Sequence, residues 1–239
     1  VQGYTKFYQA GKYRVAIPAV KEVNASNVIY ITHIASNTEW WTGISLVNTT
    51  STAKTVTINV NDGQTIPVTI PAHGHQAFGL FNYQPQPPVV QSAVITNTAG
   101  IIGLELFATY DGKEMEGILL TDKTASSLYY PYVVNDDPWW TGIAVYNPFS
   151  SSCNITITSY AADGTYLSSL TDSISGMQKY VGTVGVEIVP PVQTSWLRID
   201  STMLPLSGFE LVGTRDQDRL ASYAGNGGTG SKTGVFAKI

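Results

Sequence analysis

The side chains most able to do chemistry in this sequence are carboxylates set inside apolar runs and tryptophans set in pairs. Glu105 and Glu210 interrupt the runs GLELF and GFELV. Alternation along a strand puts each on the face opposite its apolar neighbours, so the pattern predicts that both carboxylates point to solvent. Buried and held roughly 5–9.5 Å apart, two carboxyl groups could share the work of glycoside cleavage. These two lie in different parts of the chain, and no spacing in the sequence brings them together. Trp40-Trp41 and Trp139-Trp140 are adjacent pairs. On a strand, one ring of each pair faces the core and the other faces outward. An outward ring offers a flat apolar surface and one N–H donor, suited to stacking on a sugar or anchoring a protein partner. The competing expectation is that both rings pack under a loop or between parts of the protein. With Trp196, these residues are the candidate ligand-binding positions.

His33, His73 and His75 are the only histidines. The His-x-His of PAHGHQ could set two imidazoles on one side of a strand, but two ligands do not close a metal site and no cysteine lies nearby. A solvated turn is expected there, and no metal or cofactor is assigned. The acidic groups Asn135-Asp136-Asp137 and Asp216 with Asp218 lack the ligand spacing of a calcium loop. Cys153 is the single cysteine, cannot form an internal disulfide, and reads as a small strand residue. The sequence contains no GxSxG elbow, no phosphate-binding GxxxxGK loop, no GxGxxG after a strand and no HExxH. No catalytic residue is assigned, and the chain is read as noncatalytic. Asn24, Asn48 and Asn154 begin N-x-S/T sequons, a hint that they lie at the surface.

The elements that carry these residues occur twice. Residues 28–48 match residues 127–147 at a constant offset of 99 without gaps, and WWTGI is identical in both. Downstream, GLELFATYDGKEME at 103–116 corresponds to GFELVGTRDQDRLA at 208–221. Between these anchors Asp62-Gly63 corresponds to Asp163-Gly164, and Gly74-His75 loosely to Gly176-Met177. Landmarks in one order imply an internal duplication of a unit of about 100 residues, large enough to hold its own core. Ile44, Leu46 and Asn48 alternate with Ser45 and Val47, and Val56, Ile58 and Val60 with Thr55, Thr57 and Asn59, the period of half-buried strands. Asp-Gly between such runs signals a hairpin, with a type I′ turn expected. No segment carries a capped stripe of helical period. The expected fold is all-β: two tandem antiparallel β-sandwich domains of immunoglobulin-like kind, residues 1–126 and 127–239.

Charged residues are 13% of the 239, about half the usual share, and the net charge of −4 includes no basic stripe that could follow phosphates. Nucleic acid is therefore not an expected partner. No apolar run is long enough to span a bilayer as a helix, because Glu105 interrupts the best one. The chain begins at Val1 rather than Met, which leads to the expectation that a targeting segment has been removed and that the protein is secreted or displayed on a bacterial or archaeal surface. After the second repeat a glycine-rich stretch, GNGGTGSKTG, precedes Val235-Phe236-Ala237-Lys238-Ile239. A linker followed by a strand suits either completion of the chain's own sheet or strand addition to another subunit, so these residues are the candidate assembly segment.

The ordered set of WWTGI, the LVN or VYN after it, the Asp-Gly turn, SWLRI at 195–199 and GFELVGT at 208–214 resembles a tandem β-sandwich repeat of exported, largely uncharacterised bacterial surface proteins. The resemblance implies an extracellular array and carries over no catalytic residues. The first repeat departs from it at Ser92-Ala93-Val94-Ile95, aligned with Ser195-Trp196-Leu197-Arg198. The leading expectation is a noncatalytic extracellular structural protein, a filament subunit joined to itself or to another surface protein by terminal-strand addition. The alternative is a carbohydrate-binding or adhesive module that uses exposed aromatics, with a glycan as partner.

Overall fold

Alternating β-branched and polar residues, punctuated by turn residues, give strands throughout the chain. The structure, a computed structural model, describes residues 3–19, 26–80, 91–217, 219–225 and 227, and no α-helix occurs among them. A hairpin of β1 (Tyr4–Gln9) and β2 (Tyr13–Pro18) leads in. Eight strands follow: β3 (Val28–Ile34), β4 (Trp40–Asn48), β5 (Lys54–Val60), β6 (Thr65–Ile70), β7 (His75–Gly79), β8 (Gln91–Thr96), β9 (Ile101–Thr109) and β10 (Met115–Leu119). Eight more complete the described chain: β11 (Ser127–Tyr130), β12 (Trp139–Tyr146), β13 (Cys153–Tyr160), β14 (Tyr166–Ile174), β15 (Lys179–Thr183), β16 (Trp196–Ser201), β17 (Ser207–Thr214) and β18 (Leu220–Ala224).

The strands form four antiparallel sheets besides the hairpin, so the all-β expectation holds. Sheet A is β3-β8-β5-β6 and sheet B is β10-β9-β4-β7; sheet C is β11-β16-β13-β14 and sheet D is β18-β17-β12-β15. Each strand of the second pair of sheets stands where the strand eight places earlier stands in the first pair. Between A and B lies one core, with Ile31, Ile44, Leu46, Ile58, Ile70 and Ile95 at its centre. Between C and D lies another, built on Leu128, Tyr130, Ile143, Val145, Ile157 and Ile199. The inward residues of β4 and β5 are those selected by period-two alternation in the sequence. Cys153 is buried within the second core.

The repeated motif is explained residue by residue. Trp41 and Trp140 face out of sheets B and D, and each ring lies over the glycine two positions on: a Cβ on Gly43 would meet Trp41 at 2.8 Å, and one on Gly142 would meet Trp140 at 3.0 Å. Thr42 Oγ1 accepts from the Ala35 N–H and donates to the Ala35 carbonyl, and Thr141 does the same with Val134. Asn48 Nδ2 donates to the carbonyls of Thr52, Ile70 and Pro71, and Asn147 Nδ2 to those of Ser151, Ile174 and Ser175. Asn48 is 0% exposed, which overturns the surface reading of its sequon: the side chain is a hub that satisfies buried carbonyls.

Two further expectations are corrected in detail. At the Asp-Gly turns only the glycine is left-handed (Gly63 φ 93°, Gly164 φ 87°), while Gly63 N donates to Val60 O and Gly164 N to Ala161 O. This is a type I turn followed by a left-handed glycine, not type I′, so Asp62 and Asp163 keep ordinary backbone angles and accept from Gln64 N and Thr165 N. Register also moves two alignments. Val47 pairs with His75 and Tyr146 with Lys179, so Lys179, not Met177, stands at the place of His75. Ile58 pairs with Ile95 and Ile157 with Ile199, so Ser92, not Ala93, stands at the place of Trp196.

Candidate functional site

The two sandwiches meet through unlike faces. The outer face of sheet D, carrying Trp140, Ala144, Phe209 and Leu211, closes the side of the first sandwich that opens between its edge strands β3 and β10. There Phe107, from the inner face of sheet B, stacks on Phe209 with centroids 5.3 Å apart, while Ala35, Trp40 and Ile118 complete the apolar contact. Thr32 and Ser207 share a hydrogen bond of 2.7 Å, and Ser222 Oγ donates to the Gly117 carbonyl at 2.9 Å.

Glu105 and Glu210 are buried, 1% and 0% exposed, against the expectation that they face solvent. The inference failed because it assumed one wet face per sheet. Leu104 and Leu106 do lie on the face opposite Glu105, but that face is itself partly covered, and the inner face near Glu105 is where the second sandwich docks. Burial holds the Glu105 carboxyl well above its usual pKa, opposed by the positive charge of Lys179. Burial likewise pulls Lys179 down, opposed by Glu105. Lys179 Nζ lies 3.0 Å from His33 Nδ1. The two nitrogens are within hydrogen-bond distance, with the donor set by the tautomer of the ring. Burial first and the Lys179 charge second hold His33 well below its usual pKa, in the neutral form. Glu105 and His33 come from the first sandwich and Lys179 from the second, so the buried ionisable cluster exists only where they join.

Glu210 has the same place in sheet D, opposite Ile143 as Glu105 is opposite Ile44. Neither of its carboxyl oxygens has a hydrogen-bond partner among the described residues. Burial alone raises its pKa to about 8. The two glutamates are thus in separate cores, and the arrangement is not a pair of carboxylates flanking one bond.

The paired tryptophans divide in an unforeseen way. Trp40 from the first pair and Trp140 from the second line one cleft of about 370 Å³ at the junction, together with Phe107, Phe209 and His33. This lies within the ~300–1,000 Å³ range of small-molecule sites. One face of the Trp140 ring rests on Gly142 and Gly213, which leaves the other face for the cleft. Asn37, Arg215 and Gln217 supply polar groups on its lining, and the buried Glu114 lies among them. Asn37 Oδ1 accepts from the backbone of Glu39 and Trp40 at 2.8 Å, which fixes its side chain and leaves the amide nitrogen as its donor.

The remaining candidates lie elsewhere. Trp41 lines a shallow groove on the outer face of sheet B, and Trp139 lies beneath the Arg219 guanidinium, 5.8 Å from the ring centroid. Trp196 is stacked on Tyr160 at 4.0 Å and 7°, with Tyr129 on its other side at 6.4 Å. It is half-buried at the outer face of sheet C, one ring face packed on Tyr160 in a cross-strand pair. His73 is an exposed turn residue, and His75 Nε2 lies 2.9 Å from Ser45 Oγ. Among the described residues no three His, Cys, Asp or Glu side chains converge as metal ligands. Asp218 and the segment Val235–Ile239 fall outside the described residues. No helix among those described is long and apolar enough to cross a membrane.

Lys179, Phe107, Phe209, Arg215 and Gln217 were not singled out in the sequence. One signal was available for Lys179, a lysine opening a strand in a chain so poor in charge. No signal announced the others, because their importance comes from one sandwich meeting the other.

No protein-family profile matches the chain, and no curated protein matches it in sequence. Among solved structures it is similar to a calcium-binding mutant of Bacteroides uniformis beta-glucuronidase 2, at 12% identity and TM-score 0.20, over 80% of this chain and 25% of that one. A second Bacteroides uniformis beta-glucuronidase structure gives 11% identity and TM-score 0.19, over 77% and 24%. An anti-sigma factor domain-containing protein gives 7% and 0.16, over 84% and 81%. The chain spans about a quarter of the length of the glucuronidases. At these scores the likenesses carry no functional argument.

Proposed function

We propose that this chain is a noncatalytic carbohydrate-binding module of an exported or cell-surface protein, with its ligand held in the cleft between the two sandwiches. The observation that supports this reading is the convergence of Trp40 and Trp140 on that cleft. A sugar has an apolar C–H face and a rim of hydroxyls. It is recognised by flat aromatic rings with planar polar groups beside them, the set that Trp40, Trp140, Asn37, Arg215 and Gln217 provide. The test is a glycan array followed by calorimetric titration of the best glycan against wild type, Trp40→Ala, Trp140→Ala and Trp41→Ala. The first two variants are expected to weaken binding at least about tenfold and the third to leave it unchanged. Binding that survives both cleft substitutions in folded protein, or no glycan bound by wild type, sinks the proposal.

A structural role at the cell exterior is the second reading. It is favoured by a different observation, the exposed apolar groove of about 500 Å³ on the outer face of sheet B, lined by Trp41, Ala77, Leu106 and Tyr110.

A further inference from the structure

The junction between the sandwiches joins an apolar sheet face to the open side of a neighbouring sandwich, and each of these two surfaces has an equivalent that the junction leaves unused. The outer face of sheet D is covered. Its counterpart is the outer face of sheet B, where Trp41, Leu106 and His75 stand at the places of Trp140, Leu211 and Lys179. The hairpin covers the β10 side of that face, where Ile17 packs on Gly117, and the groove beside it stays open. The open side of the first sandwich is filled. In the second sandwich its counterpart carries Tyr132, Tyr223 and Trp139 at the places of His33, Ile118 and Trp40, and Tyr132 and Tyr223 are 54% and 45% exposed. Contiguous exposed apolar surface is where interaction sites are found. Beneath them lies Glu210, neither of whose oxygens has a hydrogen-bond partner among the described residues; the equivalent Glu105, whose Oε1 is likewise unpartnered, feels the opposing charge of Lys179.

We infer that the chain associates head to tail with a second copy of itself, the outer face of sheet B in one copy docking on the Tyr132–Tyr223–Trp139 side of the other. The contact repeats the part of the internal junction that the hairpin leaves free, brings His75 toward the partner's Glu210 as Lys179 is brought toward Glu105, and gives the structural reading its partner. Because the joined surfaces differ, each copy in a pair still offers one surface of each kind, so the contact propagates head to tail beyond the dimer. The competing occupant is the end of the same chain, since Gly227 passes against Ala125 at the entrance to that side of the second sandwich.

The decisive experiment is sedimentation velocity on the full chain from low micromolar to millimolar concentration, with two exposed-site variants. Ala77→Asp spoils the sheet face and Tyr132→Asp spoils the aromatic side, each leaving the other surface intact. Wild type is expected to form chains that lengthen with concentration, each variant alone to stay monomeric, and an equal mixture of the two to stop at dimers. His75→Lys is expected to tighten association about tenfold. A wild type that remains monomeric overturns the inference and leaves the structural reading without assembly. Association that survives Ala77→Asp but disappears when the chain is cut after residue 227 also overturns it. That outcome would leave the structural reading standing, with the terminal segment as the joining element.

Discussion

Glu105 and Glu210 occupy the same place in two sandwiches of the same strand order, yet their surroundings differ in one respect that matters. In the first sandwich the neighbouring unit brings Lys179, whose charge opposes the burial shift of Glu105, and Lys179 Nζ lies 3.0 Å from His33 Nδ1. In the second sandwich no described residue bonds the carboxyl group, and burial alone sets its pKa. Burial therefore raises both carboxyls, and the two differ in whether a charge from the neighbouring unit opposes that shift. The opposing charge ties Glu105 to the junction, while Glu210 answers to burial alone.

The substitution expected to disturb this contrast most is Lys179→Met. It removes the cation from a buried cluster while keeping the length of the apolar stem. The burial shift of Glu105 is then unopposed, and His33 loses its hydrogen-bond partner. A loss of about 3 kcal/mol or more is expected in chemical denaturation at neutral pH. The equivalent change in the first sandwich, His75→Met, touches an exposed ring and is expected to stay within ~0.5 kcal/mol. Equal effects from the two substitutions would mean that the cluster contributes nothing special at the junction.

The next effect tests where the sandwiches are alike. Asn48→Ala and Asn147→Ala each remove an amide that donates to three backbone carbonyls. A cost of ~2–4 kcal/mol is expected for both, from stranded acceptors as well as lost bonds. Hydrogen exchange resolves which sandwich opens. Asn48→Ala should expose β5 and β6 preferentially, and Asn147→Ala should expose β13 and β14. If either variant unfolds both sandwiches together, the junction couples them more tightly than their separate cores suggest.

What was legible in the sequence follows from these same residues. The strands, the two matching sets and the inward positions of β4 and β5 could be read because a core selects residues by period two within one strand. The roles of Gly43 and Gly142 could not, since nothing in WWTGI says that an indole lies across the strand onto the glycine. The burial of Glu105 and the meeting of Trp40 with Trp140 were hidden for another reason. Both faces of sheets B and D are at least partly covered, so apolarity no longer marks the inner one. The cleft, in addition, is built from nonequivalent members of the two tryptophan pairs, one facing into its sandwich and one facing out.

The smallest effect separates the two glutamates most cleanly. Glu210 has a folded pKa of about 8 against an ordinary value of 4.5. The folded state therefore binds the proton more tightly than the unfolded state. Below pH 4.5 both states are protonated, and this group gives stability no slope. Between pH 4.5 and about 8 the unfolded chain loses its proton first, so stability falls as pH rises through that window, then levels off. Glu210→Gln keeps the shape and removes the titration. It is expected to flatten that part of the profile and to gain ~1–3 kcal/mol over wild type near pH 8, read from urea midpoints across the window. Glu105→Gln removes a carboxyl that burial also raises but that the Lys179 charge opposes, so it is expected to gain less than Glu210→Gln at neutral pH. A gain from Glu105→Gln as large as that from Glu210→Gln would show that Lys179 does not oppose the burial of Glu105, and a loss from Glu210→Gln would show that Glu210 has a partner after all.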